Sequence, residues 1–333
     1  MKSFFDIRVV LLAAVVLLFT SVAAAQTPLQ GERSLAGTVE LDGAPMPNVP
    51  VTLHRVTSGE SGPLSSATSA EDGSFRFQLP APDTTRFEVF FVTAEHLTVR
   101  YFGPAVHGGP LPEAYRVAVY DTAFSLPGAV AVSRRDVVLI PDPMGGWEAN
   151  EIIRLRNEAD RTLVSRGGMP TWEMSLPPGA TDFQAGEGEL TASEFMQMGD
   201  RIMLVSALVP GEREIFLRYR VPEALSSTSL AVGTPTDTLH VFLGQPSPPM
   251  EISGLETTNV VEVQGERFVQ YGTTGLAEGS EIVLRWDPPR GPPLAPELAG
   301  VLAAAVVLIV GSAFAVRARG RSGRETTPPP AAG

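Results

Sequence analysis

Between Gln26 and Pro296 the chain carries no helical periodicity. Short runs rich in Val, Phe, Leu, Ile and Tyr alternate apolar with polar residues and are cut by Gly or Pro about every ten residues. Alternation at a period of two places all apolar side chains of a segment on one face, which must be buried against a second sheet. This is the pattern of antiparallel β-sandwiches, and 30 Pro and 32 Gly supply their turns. Cysteine is absent, which excludes disulfides, thiolate metal sites, haem attachment and cysteine nucleophiles together. Stability must come from apolar cores, and roughly 270 residues suffice for two or three domains of about 100 to 150 residues.

The two ends predict a location. Lys2 and Arg8 flank a short basic region, Val9 to Phe19 is apolar, and Ala23-Ala24-Ala25 before Gln26 has the small-residue pattern of a signal-peptide cleavage site, so residues 1–25 are read as a signal peptide. Leu298 to Val316 is an uncharged apolar run, long enough as a helix to span a bilayer core of about 30 Å. Arg317, Arg319, Arg321 and Arg324 follow and place the tail, 317–333, in the cytoplasm. Pro288, Pro289, Pro292, Pro293 and Pro296 make a stiff stalk, centred on 290–297, ahead of the run. The expectation is a single-pass membrane protein with its ectodomain outside the cytoplasm; a processed sorting tail is the open alternative. Removing the charges of signal and tail leaves 19 basic against 35 acidic residues, a balance that disfavours nucleic acid and anionic lipid surfaces as partners.

Within the ectodomain, Val39 and Leu41 alternate with polar neighbours, Asp42-Gly43 offers a turn, and Val49, Val51 and Leu53 resume the alternation. Asp72-Gly73 then precedes a strand with Phe75, Phe77 and Leu79 on one face, and Phe87–Val92 and His96–Phe102 predict two more strands. The ordered set Gly37-x-Val39, Asp42-Gly43-x-Pro45, Val49-x-Val51-x-Leu53 and Thr68-x-x-x-Asp72-Gly73-x-Phe75-x-Phe77 resembles the carboxypeptidase regulatory-like domain over about residues 34–102. The resemblance implies a prealbumin-like β-sandwich, within a domain at 26–125, that acts as an accessory or adhesive module without catalytic residues. The same sandwich class is grouped with carbohydrate-binding-like folds.

Downstream the chain repeats itself. Glu214-Ile-Phe-Leu-Arg-Tyr-Arg-Val-Pro222 matches Glu281-Ile-Val-Leu-Arg-Trp-Asp-Pro-Pro289, and Thr171–Leu176 matches Thr238–Leu243, both at an offset of 67. Gly199-Asp-Arg-Ile and Gly265-Glu-Arg-Phe lie within one residue of the same offset. Alternation puts Ile215, Leu217 and Tyr219 on one face, and Phe216 and Arg218 on the other. Two sandwiches are expected, a full one at 130–222 and a smaller related unit at 223–289. The fold class is therefore an all-β ectodomain of tandem antiparallel β-sandwiches followed by one C-terminal transmembrane helix.

The chemical motifs of common exported enzymes are missing: there is no His-Glu-x-x-His, Gly-x-Ser-x-Gly, Ser-x-x-Lys, phosphate loop or acidic calcium loop. His54, His96, His107 and His240 lie far apart and read as surface or rim residues, with His107 in a mobile loop. Glu187, Glu189 and Asp121 read as solvated loop charges. Trp172 and Trp286 fall inside strand patterns and suit packing, whereas Trp147, after Met144-Gly-Gly, is the loop aromatic best suited to binding. No catalytic, cofactor-binding or metal residue is assigned. The expected function is a non-catalytic, membrane-anchored envelope protein that binds or scaffolds a protein partner; a carbohydrate-binding surface protein and an exported hydrolase are the alternatives.

Overall fold

The computed structural model describes residues 33–80, 87–107, 110–186, 188–222, 225–263 and 265–287. The expected signal peptide, stalk, membrane helix and tail lie outside the described residues. Among those described, the elements are strands apart from one short turn of 3-10 helix at Ala192–Glu194, so no helix is long and apolar enough to cross a membrane. The all-β expectation holds for this part of the chain. It forms two compact units, one of residues 33–96 with 100–118, the other of 119–287 with 97–99.

The first unit contains β1 (Arg33–Leu41), β2 (Pro50–Thr57), β3 (Ser61–Thr68), β4 (Ser74–Leu79), β5 (Glu88–His96), β6 (Val99–Phe102) and β7 (Tyr115–Val119). One sheet pairs β1 with β4, with β7 and with the short segment Ala44–Pro45; the other runs β3-β2-β5-β6, with Val106–His107 also paired to β5. The predicted turn at Asp42-Gly43 takes positive φ at both residues, 52° and 78°. Leu35, Val39, Phe75 and Phe77 from the first sheet are buried, as are Val51, Leu53, Phe90 and Val92 from the second. Tyr115 ties the two sheets: its hydroxyl accepts from the Val92 amide at 2.9 Å and donates to the Pro104 carbonyl at 2.7 Å. Gly37 is required beside it, because a Cβ there would lie 2.5 Å from the Tyr115 carbonyl oxygen.

The main sheets of the second unit begin with β8 (Val130–Pro141), followed by two sets of six strands. The first set is β9 (Trp147–Asn157), β10 (Trp172–Ser175), β11 (Thr181–Ala185), β12 (Phe195–Met198), β13 (Arg201–Leu204) and β14 (Gly211–Val221). The second is β15 (Ser227–Ala231), β16 (Thr236–Gln245), β17 (Met250–Ile252), β18 (Glu256–Val263), β19 (Glu266–Leu276) and β20 (Glu281–Trp286). In each set the sixth strand pairs with the first and third, and the fifth with the second and fourth. The pairings Gln184↔Arg218 and Ala185↔Leu217 in the first set recur as Glu251↔Arg285 and Ile252↔Leu284 in the second, at the offset of 67 read from the sequence.

The sets are not two separate sandwiches. Residues 130–222 and 223–289 were expected as distinct domains, but strands from both share a seven-stranded sheet in the order β11-β14-β9-β8-β16-β19-β18. Here β8 is antiparallel to β9 and parallel to β16, so it splices one trio of the first copy to the other trio of the second. The remaining trios form the sheets β10-β13-β12 and β15-β20-β17. Residues of all three sheets meet in one core, which includes Trp172, Met174 and Ile202, then Ile282, Leu284 and Trp286, and Ile215, Leu217, Tyr219, Leu239 and Val241. Residues 122–123, expected in the first sandwich, pair instead with 162–163 in this unit.

Candidate functional site

On β2 and β5 of the first unit, the alternation that buries Val51, Leu53, Phe90 and Val92 sends Thr52, His54 and Phe91 to the outer face, with Thr93 on the same side but buried. His54 stands opposite Phe91 in the register, and the rings stack with centroids 4.9 Å apart and planes 3° from parallel. His54 Nε2 shares a 3.0 Å hydrogen bond with Thr93 Oγ1. Partial burial, aided by the nearby Arg100 charge, lowers the His54 pKa and favours the neutral ring at pH 7. Phe102 continues the row 6.0 Å from Phe91, and Phe87 lies 6.4 Å from His107, with both phenylalanines 62 % exposed. The Glu95–Arg100 pair, at 2.9 Å, and the Thr52–Ser66 hydroxyl pair, at 3.0 Å, sit on the same sheet, so the face combines exposed aromatic rings with paired polar groups.

Aromatic side chains gain by being buried, so rings left at this exposure mark a surface able to lose water to a partner. Sequence reading missed the face because its residues come from β2, β5, β6 and the segment at His107, and they meet only through the register. The period-two pattern of Phe87, Val89 and Phe91 was the available signal. His107 itself lies in a short paired segment opposite Val89, whereas it was expected in a mobile loop.

The other expected residues are placed differently. Trp147 is a correction: it begins β9, is 2 % exposed and meets Trp286 edge-on at 6.2 Å, so it serves the core. Trp172 is also buried, and its indole N–H donates to Thr234 Oγ1 at 3.0 Å. Glu189 pairs with Arg213 at 3.0 Å, Glu187 lies outside the described residues, and the Asp121 carbonyl accepts from the Thr162 amide at 2.8 Å. His96 ends β5 with Nε2 buried. No cluster of three His, Cys, Asp or Glu residues able to hold a metal occurs among the described residues.

Two charged groups of the second unit were not anticipated. On the outer face of the large sheet, Asp136 takes bonds from Arg134 Nε at 2.9 and 2.7 Å and meets His240 Nδ1 at 3.0 Å. This resembles the carboxylate–imidazole half of a catalytic relay, with the Asp136 carboxylate also held by the Arg134 guanidinium. Inside the core, Arg135 donates to both Glu151 oxygens at 2.7 and 3.0 Å, and the Tyr219 hydroxyl donates to Glu151 at 2.5 Å. Burial disfavours the Arg135 charge, but the carboxylate beside it more than compensates and raises its pKa. Burial and the same carboxylate push the Tyr219 phenol well above its ordinary range. A further bond from Arg135 to the Ala231 carbonyl, at 2.8 Å, carries the group from the first copy to the second.

No protein-family model matches the chain, and no curated protein matches it. Among solved structures it is similar to an M1 zinc metallopeptidase from Deinococcus radiodurans, with 14% identity, coverage of 47% of this chain and 42% of that one, and a TM-score of 0.30. It is also similar to two B repeat units of the collagen-binding protein of Staphylococcus aureus, with 11% identity, coverage of 78% and 70%, and a TM-score of 0.20. The chain thus spans less than half the length of that metallopeptidase. At these scores the likenesses carry no argument about fold, reaction or ligand.

Proposed function

We propose that this chain is a non-catalytic binding protein of the cell envelope that holds a protein partner on the outer face of its first sandwich. The carrying observation is the row His54, Phe91 and Phe102 with Phe87 beside it, in which two aromatic rings stay mostly exposed on a regular sheet. In this reading the first unit is a carboxypeptidase regulatory-like module, Leu298–Val316 anchors the chain in the bilayer, and the stalk keeps the sandwiches close to the membrane. An excess of acidic residues supports a protein rather than a nucleic-acid partner.

A second reading, carbohydrate recognition, rests on the same exposed rings, since aromatic faces can pack against sugars. Crosslinking and recovery of the full-length protein from its native envelope, compared with a Phe87→Ser, Phe102→Ser double variant, tests the first reading. The expected result is a protein partner recovered with the native chain and lost with the variant. Equal recovery with both removes this face from the function, and glycan binding abolished by the same substitutions moves the reading to carbohydrate.

A further inference from the structure

The fourth and fifth strands of each copy pair antiparallel, with Met198 opposite Arg201 and Val263 opposite Glu266 and two residues between each pair, so positions can be matched by counting from these ends. In the second copy Val261 lies opposite Phe268, and Val263 opposite Glu266. In the first copy Met196 lies opposite Met203, and Met198 opposite Arg201. The matched apolar trio is thus Val261, Val263 and Phe268 in one copy and Met196, Met198 and Met203 in the other.

The second copy's trio has an evident packing role. It lies on the outer face of the seven-stranded sheet, in a cluster with Val138, Ile140, Ile152 and Phe242. The first copy's trio lies on a sheet of only three strands, facing away from the core, because Ile202 and Leu204 take the inward positions of β13. Met203 is 6 % exposed yet absent from the main core, while Met196 and Met198 are 48 % and 62 % exposed. Methionine is not a preferred strand residue, in contrast to the Val, Val and Phe of the other copy. Strand propensity therefore accounts for none of the three methionines, and packing accounts only for the buried Met203, not for the exposed Met196 and Met198.

Their placement suits chemistry. Met196 and Met203 are cross-strand partners, about 5 Å apart at Cβ, and Met198 is two residues along the same face. Three flexible side chains that start so close can bring their thioether sulfurs together. Thioethers are neutral, soft ligands that bear no proton to lose and select Cu(I) over hard divalent ions. The neighbouring Glu173 is engaged by Arg201, so the donor set is uncharged and suits a monovalent ion.

We propose that the β12–β13 hairpin is a binding site for Cu(I), with Met196, Met198 and Met203 as its thioether ligands. The site is independent of the aromatic face of the first unit. The test uses the full-length protein in detergent, with methyl-labelled methionine, under anaerobic reducing conditions. Cu(I) is added in competition with a chromophoric Cu(I) chelator, and Ag(I) serves as a redox-inert probe. The expected result is one equivalent of Cu(I) withheld from the chelator, with only the Met196, Met198 and Met203 methyl signals shifted by Ag(I). Met196→Ile with Met198→Ile, both at exposed strand positions, should weaken retention by at least about tenfold. Met144→Leu with Met169→Leu should leave it unchanged. Equal loss of Cu(I) to the chelator from the native and Met196→Ile, Met198→Ile proteins, or Ag(I) shifts confined to other methionines, overturns the proposal.

Discussion

In the first copy of the six-strand motif, the first and sixth strands, β9 and β14, each have 11 residues, and the trio containing β10, β13 and β12 has 4 in each. In the second copy the proportions reverse: β16, β19 and β18 have 10, 11 and 8 residues, while β15, β20 and β17 have 5, 6 and 3. Each copy contributes its long trio to the sheet built around the 12-residue β8 and leaves its short trio as a cover. The same pairing scheme therefore serves opposite layers. Strand length follows the layer everywhere but at the sheet edge, where the five-residue β11 pairs with β14, because a long central strand satisfies its backbone groups along long neighbours.

The buried charged group is the sharpest point of difference. In the first copy β14 places Tyr219 against Glu151, whereas the matching residue of β20 is Trp286, edge-on to Trp147. Arg135, from the splicing strand, neutralises Glu151 and reaches Ala231 of the second copy. Glu151→Leu strands the Arg135 charge in the core and is expected to cost about 3 to 5 kcal/mol. Adding Arg135→Met should recover most of that loss, because a buried pair can be replaced by apolar residues at little cost. Denaturant unfolding followed by tryptophan fluorescence checks this within the second unit alone, since Trp147, Trp172 and Trp286 all belong to it. A single variant that costs under about 1 kcal/mol, the value of an exposed pair, would show that the group does not join the copies.

A matched pair of deletions asks whether the long and short layers carry equal weight. Leu217 and Leu284 occupy equivalent positions, are 2 % and 1 % exposed, and face the same core. Leu217→Ala and Leu284→Ala should each cost about 2 to 5 kcal/mol. One core also predicts one transition, with fluorescence and β-sheet circular dichroism coincident over the second unit. A separate early transition for the Leu284 variant would instead restore the two-domain picture expected from sequence.

Much of this was legible in the chain. The 67-residue offset predicted equivalent strands, and the inward set Ile215, Leu217 and Tyr219 recurs as Ile282, Leu284 and Trp286, all buried. The first strands of the two copies, β9 and β15, left no such match. They are followed by connections of different length, 158–171 and 232–235, which shift the offset. Merging into one core was hidden for a related reason: it depends on the parallel pairing of β8 with β16 across about a hundred residues, and parallel partners carry no local turn signal. Trp147 was misplaced because Gly145 and Gly146 before it, both at positive φ, look like a loop until β9 is seen to begin at the tryptophan itself. Glu151 gave no warning, since a charge within an apolar strand becomes a core group only when Arg135 and Tyr219 are brought beside it.

Tyr219→Phe probes the contrast between copies at its finest, removing one oxygen from the first while the second has a tryptophan at that place. Losing a hydrogen bond to the Glu151 carboxylate should cost about 1.5 to 3 kcal/mol. The alkaline limb separates this from a packing effect. Burial raises the Tyr219 pKa in the folded state, so below about pH 10 the phenol is neutral whether the chain is folded or unfolded. As pH rises past that value the unfolded chain loses the proton and the folded one retains it, so stability falls through the window up to the raised folded pKa. The Phe variant should lose that part of the slope. Tyr115 is also raised by burial, but it lies in the first unit, which has no tryptophan, so the fluorescence transition isolates the second. An unchanged alkaline slope in the variant would mean that Tyr219 ionises freely in the folded core, and that the charged group is more open to water than its burial implies.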